Sequence, residues 1–336
     1  MKRILVMRLS AMGDVAMTVP VVASLLQQHP DVEVTMLSTP RFEPMFAGIE
    51  RLNFVGVDTK QTYKGIFGIV KLFRFLRKNY KFDQMVDLHD VLRSKVLRKL
   101  YWLTGTPVSV IDKGRAEKKD LVKEGNSNKK QLKSSVARYC EAFAETGYKV
   151  DVNFTGLFPK NEAFELPFEK KGTWIGIAPF AQHQGKIYPT EKMEQVVRQL
   201  AELPDVQVLL FGGGPKEKAI LEEWEKNIPS TISLAGKYPL TTELHLLNAC
   251  KAVVSMDSAN MHLASLVGTP VVCVWGATHP YAGFNGYGQN LENAVQIDMD
   301  CRPCSIYGNK PCKKGSSPCM NNITPEMVVA KVKNLL

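Results

Sequence analysis

Twice along this 336-residue chain, short apolar runs alternate with longer amphipathic ones. This alternation constrains the fold more than any other feature. A short apolar run reads as a strand buried on both faces, and an amphipathic run of period 3.6 reads as the helix that covers it. Their succession predicts βαβ units and a mostly parallel sheet. In the first series the expected strands are Arg3–Met7, Val32–Leu37, Asn53–Val57, Gln84–Asp87 and Val108–Ile111. The expected helices are Val15–Gln28, Gly65–Asn79, Leu92–Thr104 and Ser134–Thr146. A polar, lysine-rich stretch between Asp112 and Lys133 has little periodicity and reads as a mobile loop.

Residues 149–172 lose the alternation and contain Pro159, Pro167 and Gly172, which marks a linker. The second series places strands at Thr173–Pro179, Val206–Phe211, Ile232–Leu234, Ala252–Ser255 and Val271–Trp275. Its helices fall at Thr190–Glu202, Lys216–Asn227, Thr242–Ala249 and Asn260–Leu266, with a last helix at Pro325–Leu336. The expected architecture is α/β, with one Rossmann-like domain over 1–160 and another over 171–322. The segment 323–336 is expected to pack back across the linker. Two such halves are expected to face each other across a cleft, with ligands at the carboxyl ends of the strands.

Composition narrows the class. A hydrophobic fraction of 45% and a charged fraction of 23% are ordinary for a soluble globular chain. No apolar stretch reaches the roughly 18–20 residues that span a bilayer. The first apolar run stops at Met7 and meets Arg8, as a strand does and a signal peptide does not, so the expected location is the cytoplasm. The net charge of +10 is uneven: residues 1–165 hold 27 Lys and Arg against 18 Asp and Glu, residues 166–336 hold 16 against 15. Residues 60–99 carry 11 basic and 3 acidic side chains. An anionic partner for the first half follows (nucleic acid, an anionic membrane or an acidic substrate), the alternative being a solvated basic face. Within it, Tyr63–Phe82 reads as a basic amphipathic helix, suited either to an anionic bilayer surface or to core packing.

The motifs sit at strand ends. Arg8–Pro20, RLSAMGDVAMTVP, carries one glycine, Gly13, and a carboxylate, Asp14, where a phosphate loop would be glycine-rich. Phe211–Glu217, FGGGPKE, follows a strand, but Glu217 fills the sixth position of the dinucleotide fingerprint. A P-loop reading fails as well, because Ile187 follows Gly185-Lys186. Those glycines either let a ligand approach the backbone, with Glu217 accepting from a ribose, or merely make a tight turn. In MDSANMHLA, Asp257 and Ser258 are good N-caps, and the helix start offers N–H groups to an anion, with His262 nearby. A plain capped helix is the alternative. Lys186 lies on a loop at the same end of the same sheet and would help neutralise a diphosphate; a surface lysine is its plain reading. The tail places Cys301, Cys304, Cys312 and Cys319 within nineteen residues. Such clustering suggests a four-cysteine zinc site more than disulfides, but the x6 spacing of the second pair is wider than the usual x2–x4, and disulfides or free thiols are the alternatives.

Taken together, RLSAMGDVAMTVP, DLHDVLRS, FGGGPKE and SMDSANMHLASLVGTPVVCVWGATHP resemble glycosyltransferase family 9, the heptosyltransferases of lipopolysaccharide core assembly. The resemblance covers nearly the whole chain in order and spacing, and some members share the tail cysteines. It implies a GT-B fold, with an N-terminal acceptor domain and a C-terminal nucleotide-sugar domain. The reaction it implies inverts the anomeric centre and uses no cofactor or metal. The implied donor is ADP-L-glycero-β-D-manno-heptose, with a UDP-sugar as the alternative. The implied acceptor is the Kdo region of the lipid A core, met at the inner face of the inner membrane by transient peripheral contact. Nucleic acid is not an implied partner. The family's catalytic aspartate falls on Asp14, as general base. The donor-binding positions fall on Lys186, Glu217, Asp257, Ser258, Ala259 and His262, the acceptor positions on Gly13 and Arg138. Ala259 replaces the family's glycine, and the family's histidine near Lys133 and Ser134 is absent. A nucleotide-linked oxidoreductase and a non-enzymatic anion-binding module are the competing classes.

Overall fold

A computed structural model describes residues 1–123, 125, 129–159 and 164–336. Parts of the expected lysine-rich loop and of the linker lie outside the described residues. By contacts the chain divides into two units, Met1–Lys113 with Ser135–Leu157, and Gly114–Ser134 with Phe158–Leu336. Among the described residues no helix is long and apolar enough to cross a membrane.

The first unit is built on β1 (Lys2–Met7), α1 (Met12–Ala16), α2 (Thr18–Gln28), β2 (Val32–Ser38), β3 (Leu52–Gly56), α3 (Gly65–Asn79), β4 (Gln84–Asp87), α4 (Leu92–Leu103) and β5 (Val108–Val110). Helix α5 (Arg115–Leu121) belongs to the second unit, and α6 (Ser135–Ala144) returns to the first. All sheet pairs are parallel, in the order β3-β2-β1-β4-β5. The central strand β1 is buried from Ile4 to Met7, which is why it reads as an unbroken apolar run. The single helix expected over Val15–Gln28 is two. It breaks at Met17, where the Thr18 hydroxyl donates to the Val15 carbonyl at 2.7 Å and competes with the helical ladder.

The second unit continues with β6 (Thr173–Ala178), α7 (Thr190–Ala201), β7 (Val206–Leu210), α8 (Pro215–Asn227), β8 (Thr231–Ser233), α9 (Leu240–Ala249), β9 (Ala252–Met256), α10 (Ala259–Leu266), β10 (Val271–Val274), β11 (Ala294–Val295), α11 (Pro318–Asn321) and α12 (Pro325–Lys333). Its parallel sheet runs β11-β10-β9-β6-β7-β8. Helix α12 packs against α7, and its face of Val328, Val329 and Val332 joins the second unit's core with Ile323 and Met320. Each such side chain contributes about 1.5–3 kcal/mol by burial.

The segment expected to be a loop at 112–133 carries α5 and is pinned to the second unit. Leu121 and Leu132 cluster with Ala282 and Ile306, the Leu132 N–H donates to Tyr281 O at 2.9 Å, and Lys118 Nζ sits 4.3 Å from the Phe284 ring centre. Two leucines eleven positions apart anchor it, too sparse a pattern to register as periodicity.

Candidate active site

Both sheets reverse strand order at one place, β1/β4 in the first and β6/β9 in the second. Chains leaving the carboxyl ends of the two strands there diverge, which opens a crevice at that edge. Of the candidate catalytic and ligand-binding residues, Gly13, Asp14, Lys186, Asp257, Ser258, Ala259 and His262 lie in the loops or early helical turns that follow β1, β6 and β9, whereas Arg138, Glu217 and the tail cysteines lie elsewhere.

At the β1/β4 point, Arg8 follows β1 and is only 6% exposed. It pairs with Asp14 Oδ2 at 2.5 Å and donates to Leu88 O at 2.6 Å, tying the β1 loop to the β4 loop. Burial opposes the Arg8 charge, but Tyr139, Asp14 and Asp87 outweigh it and the guanidinium is held above its ordinary pKa. Asp14 Oδ2 also accepts the Ala11 N–H at 3.2 Å, capping α1, and the Asp14 carbonyl accepts the Tyr139 hydroxyl at 3.2 Å. The Asp14 side chain keeps 31% exposure, so a fixed carboxylate is presented at the sheet edge. Gly13 lies inside α1 and its carbonyl accepts Met17 N–H at 3.0 Å. It is a helical residue, so no special turn conformation explains it; a glycine leaves that helix face bare.

Several residues that the motif reading passed over support this edge. Asp87, fully buried, accepts the N–H groups of His89 and Asp90 at 2.9 Å each and fixes the β4 loop. Arg98 donates to Asp87 Oδ2 and Asp90 Oδ1, both at 3.1 Å. His89 Nδ1 accepts the Leu9 N–H at 3.4 Å, which leaves the ring proton on Nε2, 3.5 Å from Ser10 Oγ. Their signal was the stretch DLHDVLRS, which names the residues but not their partners on β1. Arg138 is 1% exposed and binds the carbonyl and carboxylate of Asp112, at 3.3 and 3.7 Å. It therefore anchors the loop after β5 and does not open to solvent.

Burial, with Arg8 and Lys113 nearby, pushes the His89 imidazole down to about 3. A base depressed in the folded state contributes stability above its unfolded pKa near 6.5, and that contribution is lost as pH falls toward the folded value. We expect His89→Asn, whose amide oxygen can still accept from Leu9 N–H, to flatten this acid limb. At pH 4 the variant should be more stable than the parent by about 3 kcal/mol relative to their difference at pH 8. Thermal unfolding between pH 4 and 8 checks it; parallel curves would show that His89 carries no such linkage.

At the β6/β9 point, Lys186 Nζ meets Asp257 Oδ2 at 2.8 Å, with side-chain exposures of 14% and 4%. Ser258 is the N-cap residue of α10, its Oγ 3.3 Å from Ser255 Oγ, and Ala259 opens the helix. His262, 8% exposed, follows in the next turn. The N-terminal N–H groups of α10 thus stand beside an ion pair, a ready site for an anion. After the neighbouring strand β7, in the first turn of α8, Glu217 Oε2 accepts the Gly213 N–H at 2.7 Å, which holds the glycine turn and leaves the carboxylate at the surface. A side chain at Gly212 would stand 2.8 Å from Leu221, and Gly214 takes φ +86°, so these two glycines are demanded by the turn itself. Glu243, in the first turn of α9, was not foreseen; burial pushes its carboxyl up to about 7.

The tail braces the Lys186 loop. Arg302, 3% exposed, donates to the carbonyls of Gly276, Ile297, Trp275 and Thr278 and to Gln296 Oε1, at 2.6–3.2 Å. Gly185 N–H donates to Gly308 O at 3.2 Å, and a Cβ on Gly308 (φ +70°) would come within 2.6 Å of Lys186 Cγ. The four tail cysteines are free thiols lining one pocket with Arg302, behind this loop. Among the described residues no group of three or more His, Cys, Asp or Glu side chains is placed to hold a metal ion, which leaves the zinc reading of their spacing without a ligand set.

Comparison with known proteins agrees with the geometry. The chain is 25% identical to the lipooligosaccharide heptosyltransferase 2 of Haemophilus influenzae, over 99% of each protein. It is 21% identical to the lipopolysaccharide heptosyltransferase 1 of Campylobacter coli, over 99% of the chain and 98% of that protein. Among solved structures, a family 9 glycosyltransferase from Veillonella parvula superposes with a TM-score of 0.75 at 18% identity, covering 99% of this chain and 97% of that one. The Escherichia coli heptosyltransferase WaaC with ADP superposes at 0.72 and 19% identity, covering 99% and 100%. These likenesses establish the GT-B fold. A sequence model described as glycosyltransferase family 9 (heptosyltransferase) matches residues 69–313, well over half of the chain, which therefore belongs to that family and is a glycosyltransferase.

Proposed function

We propose that this enzyme transfers a heptose from ADP-L-glycero-β-D-manno-heptose to the Kdo-containing inner core of lipopolysaccharide, at the cytoplasmic face of the inner membrane, inverting the anomeric centre. The observation that carries this reading is the Lys186–Asp257 pair beside the N-terminus of α10 at the sheet's reversal point, where a cation and free N–H groups would receive a diphosphate. The names of the curated relatives supply the sugar and the acceptor class.

In this mechanism the Asp14 carboxylate takes the proton of the attacking acceptor hydroxyl. The freed oxygen forms a bond to the anomeric carbon from the face opposite the leaving group, whose C–O bond breaks with its electron pair passing to ADP. Lys186 and the N–H groups at Ser258–His262 stabilise the charge growing on the departing diphosphate. Glu217 accepts hydrogen bonds from the nucleoside. Gly13 leaves room for the acceptor beside Asp14, and Arg138 acts on the acceptor side through the Asp112 loop it anchors. No metal takes part. Ala259 adds a methyl where a glycine would stand, so a different nucleotide sugar is the arm to test alongside.

Transfer assays with purified truncated lipopolysaccharide and a panel of ADP- and UDP-sugars decide the donor. ADP-heptose is expected to be consumed at least tenfold faster than any other, with turnover unchanged by a chelator. Preference for a UDP-sugar would overturn the donor assignment, and NAD binding in its place would overturn the class of reaction.

A further inference from the structure

Six of the ten exposed large hydrophobic side chains among the described residues lie on two adjacent helices of the first unit. On α3 they are Ile66, Phe67 and Phe75, with Phe67 91% exposed; on α4 they are Leu92, Trp102 and Leu103, 64–74% exposed. This is not leftover core. The buried residues of α3 are Gly68, Ile69, Leu72 and Leu76, those of α4 Ser94, Leu97 and Tyr101, one coherent inner stripe on each helix. On α3 the opposite stripe is Phe67, Lys71, Arg74 and Lys78, at spacings of 4, 3 and 4. On α4 it is Leu92, Lys99 and Leu103, at spacings of 7 and 4, with Lys95 and Trp102 at its flank, while the half-buried Val96 packs toward the core. Each outer face therefore interleaves apolar and cationic side chains.

The charge on this face is of one sign. Helices α3 and α4 carry eight Lys and Arg residues and no carboxylate. Arg98, and at 3.8 Å Lys95, reach inward to Asp87 or Asp90, while Lys71, Arg74, Lys78 and Lys99 belong to the outer stripes. A second copy of the chain would bring like charges together and is disfavoured. Nucleic acid would use the cations but gains little from Ile66, Leu92 and Leu103. An anionic bilayer uses both: phosphate headgroups take the lysines and arginines, and the acyl boundary takes the aromatic and leucine side chains.

We infer that the outer face of α3 and α4 is a docking surface for an anionic phospholipid bilayer. Both helices follow strands of a parallel sheet, so Ile66, Phe67 and Leu92 stand at the carboxyl edge that carries Asp14. Trp102 and Leu103 lie at the far end, roughly 16 Å along the helix. The two ends define a plane, and contact through it sets the Asp14 edge at the headgroup level. The surface holds independently of which sugar the enzyme transfers.

The chain provides its own probe. Trp102 is 65% exposed, whereas Trp174, Trp224 and Trp275 are 0–4% exposed. Vesicles of phosphatidylglycerol and phosphatidylcholine, without acceptor or nucleotide sugar, should shift tryptophan emission to the blue and pull the protein down on sedimentation. Pure phosphatidylcholine vesicles should do neither. Brominated phosphatidylglycerol should quench the shifted emission, and Trp102→Phe should abolish the response. Lys71→Gln with Arg74→Gln and Lys78→Gln should weaken binding about a hundredfold, near fivefold per cation. Phe67→Ser with Leu103→Ser should weaken it at least tenfold while melting temperature is kept, because these side chains are outside the core. Equal binding to neutral vesicles, no binding, or undiminished binding by these variants would overturn the inference. So would a Phe67-dependent dimer without vesicle binding, or a stronger response to a short single-stranded oligonucleotide. Because the vesicles carry no substrate, a wrong donor assignment leaves this result untouched.

Discussion

Asp14→Asn is expected to keep the fold and the affinity for ADP, and to lower kcat about a hundredfold to ten-thousandfold, the usual contribution of a positioned general base. The amide is isosteric and can still accept the Ala11 N–H, so α1 keeps its cap. What is lost is the proton-accepting charge and the ion pair to Arg8 at 2.5 Å. Arg8 is then left buried with Leu88 O as its remaining close partner in this loop, so some stability is lost too. Single-turnover transfer with ADP titrated by calorimetry separates the two effects. Turnover within threefold of the parent would refute the base, and lost ADP affinity with an unchanged melting curve would move Asp14 into the donor site.

The second large effect is expected at Lys186. Lys186→Ala removes the cation from the diphosphate and should weaken ADP binding by about two orders of magnitude, the scale of a charge-assisted contact of 2–3 kcal/mol. It also strands Asp257, a carboxylate only 4% exposed, and that should cost about 3 kcal/mol of stability. The two losses are separable. Lys186→Ala with Asp257→Asn removes the orphaned charge and should restore most of the melting temperature, but not the affinity. Recovery of both would mean that Lys186 only neutralises Asp257. Recovery of neither would leave the pair without the role given to it.

Most of the secondary structure was legible because a parallel sheet covered on both faces writes itself into the chain. The runs at Gln84–Asp87 and Gly65–Asn79 match the observed elements end for end, and the other strands differ by a residue or so at their ends. What escaped lacks periodicity. Helix α5 sits in a lysine-rich segment whose apolar anchors, Leu121 and Leu132, stand eleven positions apart, and β11 is two residues long. The break at Met17 hides inside an apolar run that gives no sign of a Thr18 side chain bonding back to Val15.

The site was legible by type and not by partnership. Motifs named Asp14, Lys186, Asp257 and His262, and strand-to-helix junctions placed them at sheet edges. Arg8, His89, Asp87 and Arg98 were invisible as a network, because their partners lie about eighty positions away or in a neighbouring turn. Arg138 read as a basic residue available to a ligand, yet it is buried against Asp112, an arrangement that local sequence does not encode.

The sequence by itself determined that there are two parallel α/β units, where their strands end, and which residue types stand at each end, because apolar periodicity and capping are local properties. Only the tertiary structure decided which ends meet. Strand order brings β1 beside β4 and β6 beside β9, and so joins Arg8 to Leu88 across 80 positions and Lys186 to Asp257 across 71. The physical reason is that order in a parallel sheet is set by how helices pack over both faces, a collective outcome of side chains far apart in the chain.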